Sequence, residues 1–519
     1  MALSPLASLQ EGTMKRTSNE SRRAENGQVL VIVAIGMAVL LGFVGLAIDV
    51  GMLYTTRRQM QTAADAAAIA GANALQGSSS DLYQQAAQAV AKLNGFVDAT
   101  NGVSVTIGPP ASPPNPSTGQ YVEADISQDV PTYFLRALGY STMKVSARAI
   151  AGTVNGPACV YALDPSASGS ISLTGNFTLD ASCGVIDDSS SSSALKATGN
   201  GTVKTASMGI VGDYSKAGNV SFTPTPKINI APAPDPLASL QPPSVPTCAQ
   251  QSPTSSASYS VSGNNQTVTV PPAIYGKGVS ISGNTAHATF AGGSSYGNGI
   301  QLSGNNGDVT FNPGTYQSGG SGDAITIRGN AATTFNSGTY TFCGAVSIAG
   351  NNNVTLSPGL YYGGISITGN ATVTFNPGTY ILAGGGLSVT GNSNLTGRGI
   401  TFYLTTGSGG YGPINMTGNE SADFSAPTSG PLEGILFFQD RTISSGSASK
   451  LVGNSSSTFD GVAYLPTTAL TYVGNSSSSG YTFLIADTIT MTGNTSATLG
   501  NDYSSLSNGS PVKSTTLYE

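Results

Sequence analysis

A chain of 519 residues with 67 glycines, only 9% charged residues and a formal net charge of -6 is polar without being ionic. It has room for two or three domains, and it lacks the clustered Lys and Arg that nucleic acid demands. Low net charge with frequent Val, Ile and Thr also argues against a disordered chain and points to strands joined by tight turns.

Residues 1–28 are polar and patternless and read as a cytoplasmic tail. Met14-Lys15-Arg16 reads as the true start within it. Val29–Ile48 is then a run of twenty positions without a charge. At about 1.5 Å per residue this is enough helix to cross a hydrocarbon core of about 30 Å. The pattern predicts a transmembrane helix over 29–54. A cleaved signal peptide competes, but the run exceeds the ~7–15 residues of such a segment and no small-x-small site follows directly. Lys15, Arg16, Arg22 and Arg23 precede the run and Arg57 and Arg58 follow it. That bias places the N-terminus inside a bacterial cytoplasmic membrane and the bulk of the chain in the periplasm or outside the cell.

Within the run, Ala34, Ala38, Gly42, Gly45 and Asp49 share one helical face. Small residues so spaced admit a second helix closely. Asp49 lies at the outer end of this face, where an ionisable group is costly unless paired or wet. Arg57–Leu75 is rich in strong helix formers. Gly77-Ser78-Ser79-Ser80 breaks that helix, Asp81 caps a second one to about Leu93, and Asn94-Gly95 ends it. Val103–Ile107, Tyr121–Val130 and Met143–Ile150 alternate as strands do. Pro109–Pro116 reads as a loop, and Pro131 opens a short helix through Leu138. Residues 55–153 thus form a helical stalk and a small α+β domain.

The stretch AIDVGMLYTTRRQMQTAADAAAIAGANAL, Ala47–Leu75, resembles the TadG-like N-terminal segment of tight-adherence (Flp) pilus-assembly proteins. The positions that carry the resemblance are Gly27, Gln28, Asp49, Tyr54, Gln61, Ala63, Ala64, Asp65 and Ala66. Val130–Gly152 is similar to the small α+β domain of TadE/TadG-type proteins. The resemblance implies a membrane-anchored accessory of pilus biogenesis, with pilus-assembly proteins as partners and no enzymatic activity. Related pilin-like proteins carry a glutamate where Ile32 stands, which argues against prepilin-type processing.

From Cys159 the texture changes. Gly-Asn pairs recur at Gly175, Gly199, Gly218, Gly263, Gly283, Gly304, Gly329, Gly350, Gly369, Gly391, Gly418, Gly453, Gly474 and Gly493, most often 19 to 22 residues apart. A second beat falls between them, in Asn312–Tyr316, Asn336–Tyr340, Ser357–Tyr361 and Asn376–Tyr380. A fixed period near 20 signals a stacked array. Ile365-Ser366-Ile367-Thr368 alternates, and Gly369-Asn370 turns the chain, since both residues tolerate the left-handed region. The fold class is therefore mainly β: a transmembrane helix, a small α+β domain, and a right-handed parallel β-helix with coils of about 20 residues. Asn370, Asn392 and Asn419 are placed for a side-chain ladder. The leucine-rich frame L-x-x-L-x-L is missing. First coils are expected over 154–222 and the main array over 256–501. Between them lies a Pro-rich loop or linker, 223–255, and residues 502–519 read as a frayed tail.

Cys159, Cys183, Cys248 and Cys343 all lie beyond the span, an even set suited to disulfides in an oxidising compartment. Cys159 and Cys183 sit one coil apart. Adjacent strands are about 4.8 Å apart, compatible with the ~4.4–6.8 Å Cα separation of a disulfide. That bond would close the first coil's open edge, leaving Cys248 to pair with Cys343.

No metal set is expected, since there is no C-x-x-C and the single His287 has no partner spacing. No cofactor fingerprint is present. Asp187, Asp188, Asp213, His287, Asp308, Arg328, Arg398, Asp423, Glu433, Asp440, Arg441 and Asp460 are the array's charged candidates, and they fall on different coils without catalytic spacing. The sequence reading is a membrane-anchored structural or adhesive accessory of tight-adherence pilus assembly, with surface polysaccharide as a possible ligand. The alternative is an anchored β-helix enzyme acting on surface polysaccharide. Convergence of three charged groups in one groove separates the two.

Overall fold

The computed structural model describes residues 21–75, 82–114, 121–248, 255–284, 287–292, 297–305, 307–318, 322–407, 409–444, 446–477 and 480–518. The expected tail up to residue 20, the Gly77–Ser80 break and the Asp81 cap lie outside these residues. The chain divides into two compact units, residues 1–153 with 515–519, and residues 154–514.

The first unit is built on one helix, α1 (Ser21–Leu75), so the apolar run and the Ala-rich segment are continuous. Its Val29–Leu75 part is long and apolar enough to cross a membrane. Exposed Leu30, Ile32, Leu40 and Phe43 mark the anchor portion. Farther on, Ala63, Ala64, Ala67, Ala68 and Ala72 are fully buried. Small side chains at those steps let α1 lie close to α2 (Leu82–Leu93) and to a sheet. A Cβ added at Gly71 would come within 2.8 Å of Val122 Cγ1. The sheet comprises β1 (Val103–Gly108), β2 (Tyr121–Pro131) and β3 (Thr142–Asn155), with both neighbouring pairs antiparallel. Its fourth strand is Lys513–Tyr518, beside β3. Those last residues, expected to fray, pair instead because β3 offers a free edge, and Tyr518 packs edge-on against Tyr121 at 5.4 Å.

The second unit is a β-solenoid of about 14 turns of ~22 residues. A middle coil runs through strands Ile365–Gly369, Thr372–Phe375 and Gly378–Ala383 before Leu387 stacks on Ile365. Alternation works as the sequence predicts: Ile365 and Ile367 are buried and Ser366 is half-buried. Glycines stack on glycines, as Gly350 on Gly369 and Gly369 on Gly391. The second beat has its own chemistry. Tyr316, Tyr340, Tyr361 and Tyr380 are fully buried. Each hydroxyl donates to the carbonyl four residues earlier, at 2.5, 2.9, 2.6 and 2.8 Å respectively. A buried phenol needs such an acceptor. Inside, Phe290, Phe311 and Phe335 stack at 4.3 and 4.6 Å.

The coils do not stack in chain order. Strand Ile489–Leu499 pairs in parallel with Ile171–Ala181, and Thr482–Ala486 with Ala158–Ala162. The first three coils therefore follow the last one in space, with Leu195–Lys204 and Tyr214–Thr223 beyond. The Pro-rich segment spans from that end back to Tyr259, whose strand starts the array at the other end. It is held on the way: Ala233 N–H donates to Asp188 at 2.7 Å, Arg441 Nη1 donates to Leu240 O at 2.8 Å, and Leu237 is buried.

Cys159 bonds to Cys183 and Cys248 to Cys343, each with Cα atoms 5.7 Å apart. The first bond joins adjacent coils, but it does not close an open end of the array. Strand Thr482–Ala486 already covers the Cys159 strand, because coil stacking follows edge complementarity and not chain order.

Candidate functional site

Two regions carry polar chemistry, one at the anchor and one on the solenoid. At the anchor, Gly45 and Asp49 are one helical turn apart, and both are buried. The Asp49 carboxylate accepts the backbone N–H groups of Tyr133, Phe134 and Leu135 at 3.0, 2.8 and 2.6 Å. These donors open the 3-10 helix Leu135–Leu138, so Asp49 satisfies its otherwise orphaned N–H groups. Phe134 covers Gly45 so closely that an added Cβ would sit 2.5 Å from its ring. The outer part of the small-residue face thus receives the chain's own loop. Ala34 and Ala38 are exposed, and Gly42 has open space around it. The sequence showed Asp49 as needing a partner; its partner lies 84 to 86 residues away, beyond any local signal.

The other motif positions are structural in the same unit. Gln61 Nε2 donates to Asp65 Oδ1 at 2.8 Å and to Arg148 O at 3.0 Å, tying α1 to β3. Ala63 and Ala64 are fully buried, Ala66 is half-buried, and Tyr54 is exposed. Gly27 and Gln28 lie within α1.

On the solenoid, asparagines of the Gly-Asn turns form a ladder. Asn176 Nδ2 donates to Asn494 Oδ1 at 2.9 Å, Asn200 to Asn176 at 3.3 Å, and Asn219 to Asn200 at 3.2 Å. Asn370 donates to Asn351 at 3.2 Å. The first ladder borders an open groove of about 490 Å³, also lined by Phe177, Thr178, Thr202 and Ser221. It holds no charged side chain.

A second groove of about 300 Å³ gathers Arg398, Asp460, Tyr481 and Asp502 from different coils. Arg398 is paired with Asp423. Asp460 accepts the Gly480 N–H at 3.0 Å, and Asp502 accepts the Ser504 N–H at 3.0 Å. Hydrogen bonds from the Ser504 N–H and side chain hold the Asp502 carboxyl below its usual range. Asp187 lies elsewhere, fully buried. Burial pushes its pKa up to about 6, opposed by Ser170 Oγ–H and the Ser189 N–H, which reach Oδ1 at 2.5 and 3.1 Å. Asp440 is held below its usual range by hydrogen bonds led by the Thr442 N–H, against the opposing effect of burial. Among the described residues, no group of three or more His, Cys, Asp or Glu is placed to hold a metal ion.

Residues 27–74 match the family model described as putative Flp pilus-assembly TadE/G-like, and residues 55–151 match that described as putative Tad-like Flp pilus-assembly. No curated protein and no solved structure matches the chain. The match to TadE/G-like pilus-assembly models thus covers residues 27–151, and a β-solenoid follows. The matches and the apolar helix support an accessory role in pilus assembly.

Proposed function

We propose that this chain is a membrane-anchored structural and adhesive accessory of tight-adherence pilus assembly, whose solenoid contacts surface polysaccharide through uncharged amide and hydroxyl rows. The observation that carries this reading is the groove along Asn494, Asn176, Asn200 and Asn219, which offers hydrogen-bonding groups without ions. Neutral sugars are bound by such groups, with modest energy per contact and adaptable hydration. The disulfides and the bias of basic residues favour an extracytoplasmic solenoid and an inside N-terminus. Ala34, Ala38 and Gly42 remain open to a partner helix of the assembly machinery.

The test uses cells carrying the full chain with Asn176→Ala and Asn200→Ala. Pili counted by microscopy should be unchanged while attachment to polysaccharide-coated surfaces falls. Unchanged attachment would overturn the adhesive part, and lost pili with retained attachment would move the function wholly to assembly.

The groove of Arg398, Asp460 and Asp502 favours a second reading, an enzyme acting on surface polysaccharide. On that reading the purified chain releases new reducing ends or unsaturated products from the polysaccharide, and Asp460→Asn abolishes the release. Absence of any release by the unsubstituted protein counts against it.

A further inference from the structure

We propose that the loop between β2 and β3, residues 132–141, is a membrane foot that sits in the lipid interface beside the anchor helix. Three of its side chains are large, apolar or aromatic, and turned outward, Tyr133 at 67% exposed, Leu138 at 73% and Tyr140 at 59%, and Phe134, which lies on Gly45, still leaves 49% of its surface exposed. A loop that faced only water would expose such a group at the cost of uncovered apolar area.

The anchor itself fixes the height of this loop. Asp49 grips the N–H groups of Tyr133, Phe134 and Leu135, and Phe134 lies on Gly45. Counting from Val29, Asp49 stands about 30 Å along the helix, the thickness of the hydrocarbon core. The loop is therefore held where hydrocarbon gives way to headgroups. Leu46 and Ile48, which lie on α1 between Gly45 and Asp49, are exposed as well, so the bilayer that surrounds this turn of the helix also meets the loop gripped there. Tyr is enriched at this depth because its ring is apolar and its hydroxyl polar. Arg136, on the 3-10 helix, is exposed among these residues and has a long stem with which to reach lipid phosphates.

The chemistry also accounts for the otherwise costly burial of Asp49. A carboxylate at the edge of a membrane needs donors, and three backbone N–H groups supply them. The clamp sets the angle between the helix and the loop, and with it how the small domain meets the bilayer. The occupant of the exposed face is the lipid surface.

The chain contains no Trp, so one introduced indole is an unambiguous reporter. The full chain carrying Leu138→Trp, and separately Tyr140→Trp, is reconstituted into vesicles of phosphatidylcholine and phosphatidylglycerol. The acyl chains are brominated at shallow or deep positions, and Ser215→Trp on the solenoid serves as the water-exposed reference. Both loop indoles should show blue-shifted emission and lose more intensity to shallow than to deep bromines, while the reference loses little. Water-like emission without quenching would overturn the proposal. Blue-shifted emission without quenching would overturn it in favour of a protein partner on the same face. Both positions are exposed, so folding is expected to survive, and circular dichroism of each variant checks it.

Discussion

The side-chain amide of Asn176 donates to Asn494 Oδ1 at 2.9 Å across 318 positions of sequence. The two strands are in register over their whole length, from Ile489 on Ile171 to Leu499 on Ala181. The solenoid is therefore one stack in which the earliest coils cap the latest. The Pro-rich segment is the return path this order requires.

Close stacking makes the turn glycines unequal. Gly199 has φ +121, and an added Cβ would meet Gly175 O at 2.2 Å. Gly493 has φ +84 but nothing within 4 Å. Gly493→Ala should cost only backbone strain, about 1 kcal/mol. Gly199→Ala should cost about 2–4 kcal/mol, because a coil must also shift. Urea denaturation of the two variants checks the difference; equal losses would mean that the coils are not this close.

Tyr361 is fully buried and donates to Ser357 O at 2.6 Å. Tyr361→Phe should cost about 1 kcal/mol by leaving that carbonyl short of a donor. Burial also holds the Tyr361 phenol well above 10, and raises Tyr161 and Tyr403 to about 12. A raised pKa in the fold gives stability that is present below the unfolded value, about 10, and lost as pH rises above it. Thermal unfolding should therefore shift to lower temperature above about pH 10. A transition temperature constant through pH 11 would contradict the buried phenols.

Asp187 supplies the opposite pH window. Its carboxyl is raised from 3.8 to about 6 by burial. The stability it lends is present below 3.8 and lost as pH rises through about 6. Asp187→Asn removes that titration. The stability of the variant relative to the unsubstituted chain should thus be greater at pH 7 than at pH 4, by about 2–3 kcal/mol. Chemical denaturation at both pH values measures it, and a pH-independent difference would place Asp187 in water.

Much of this architecture was legible because it is periodic. The Gly-Asn beat and the Ile365, Ile367 alternation specify coils, since glycine alone fits the turn and only one face is apolar. Stacking order was not legible. Every coil offers its neighbours much the same edge, so nothing local says that Ile171 meets Ile489 and not only Leu195. The same limit hid the strand at Lys513–Tyr518, made by long-range backbone pairing, and the Asp49 clamp, made by a carboxylate on N–H groups 84 to 86 residues away.

The return path is pinned by Cys248–Cys343, a link across 95 positions. Closing a loop of that size removes unfolded-state entropy worth about 4–5 kcal/mol in the chain-entropy description. Replacing both cysteines by serine should lower stability and speed proteolytic cleavage between Pro224 and Cys248. Cleavage at an unchanged rate would show that the polar contacts of Arg441 and Asp188 suffice to hold the segment.

The central structural claim is that the first coils stack on the last, and engineered cross-linking measures it directly. Thr174 is in register with Thr492 on one side and with Thr198 on the other. Parallel neighbours stand about 4.8 Å apart, within disulfide reach. Under mild oxidation, Thr174→Cys with Thr492→Cys should form a cross-link as readily as Thr174→Cys with Thr198→Cys, seen as linked peptides after digestion. If the Thr198 pair links and the Thr492 pair does not, the coils run in chain order and the stacking described here is wrong.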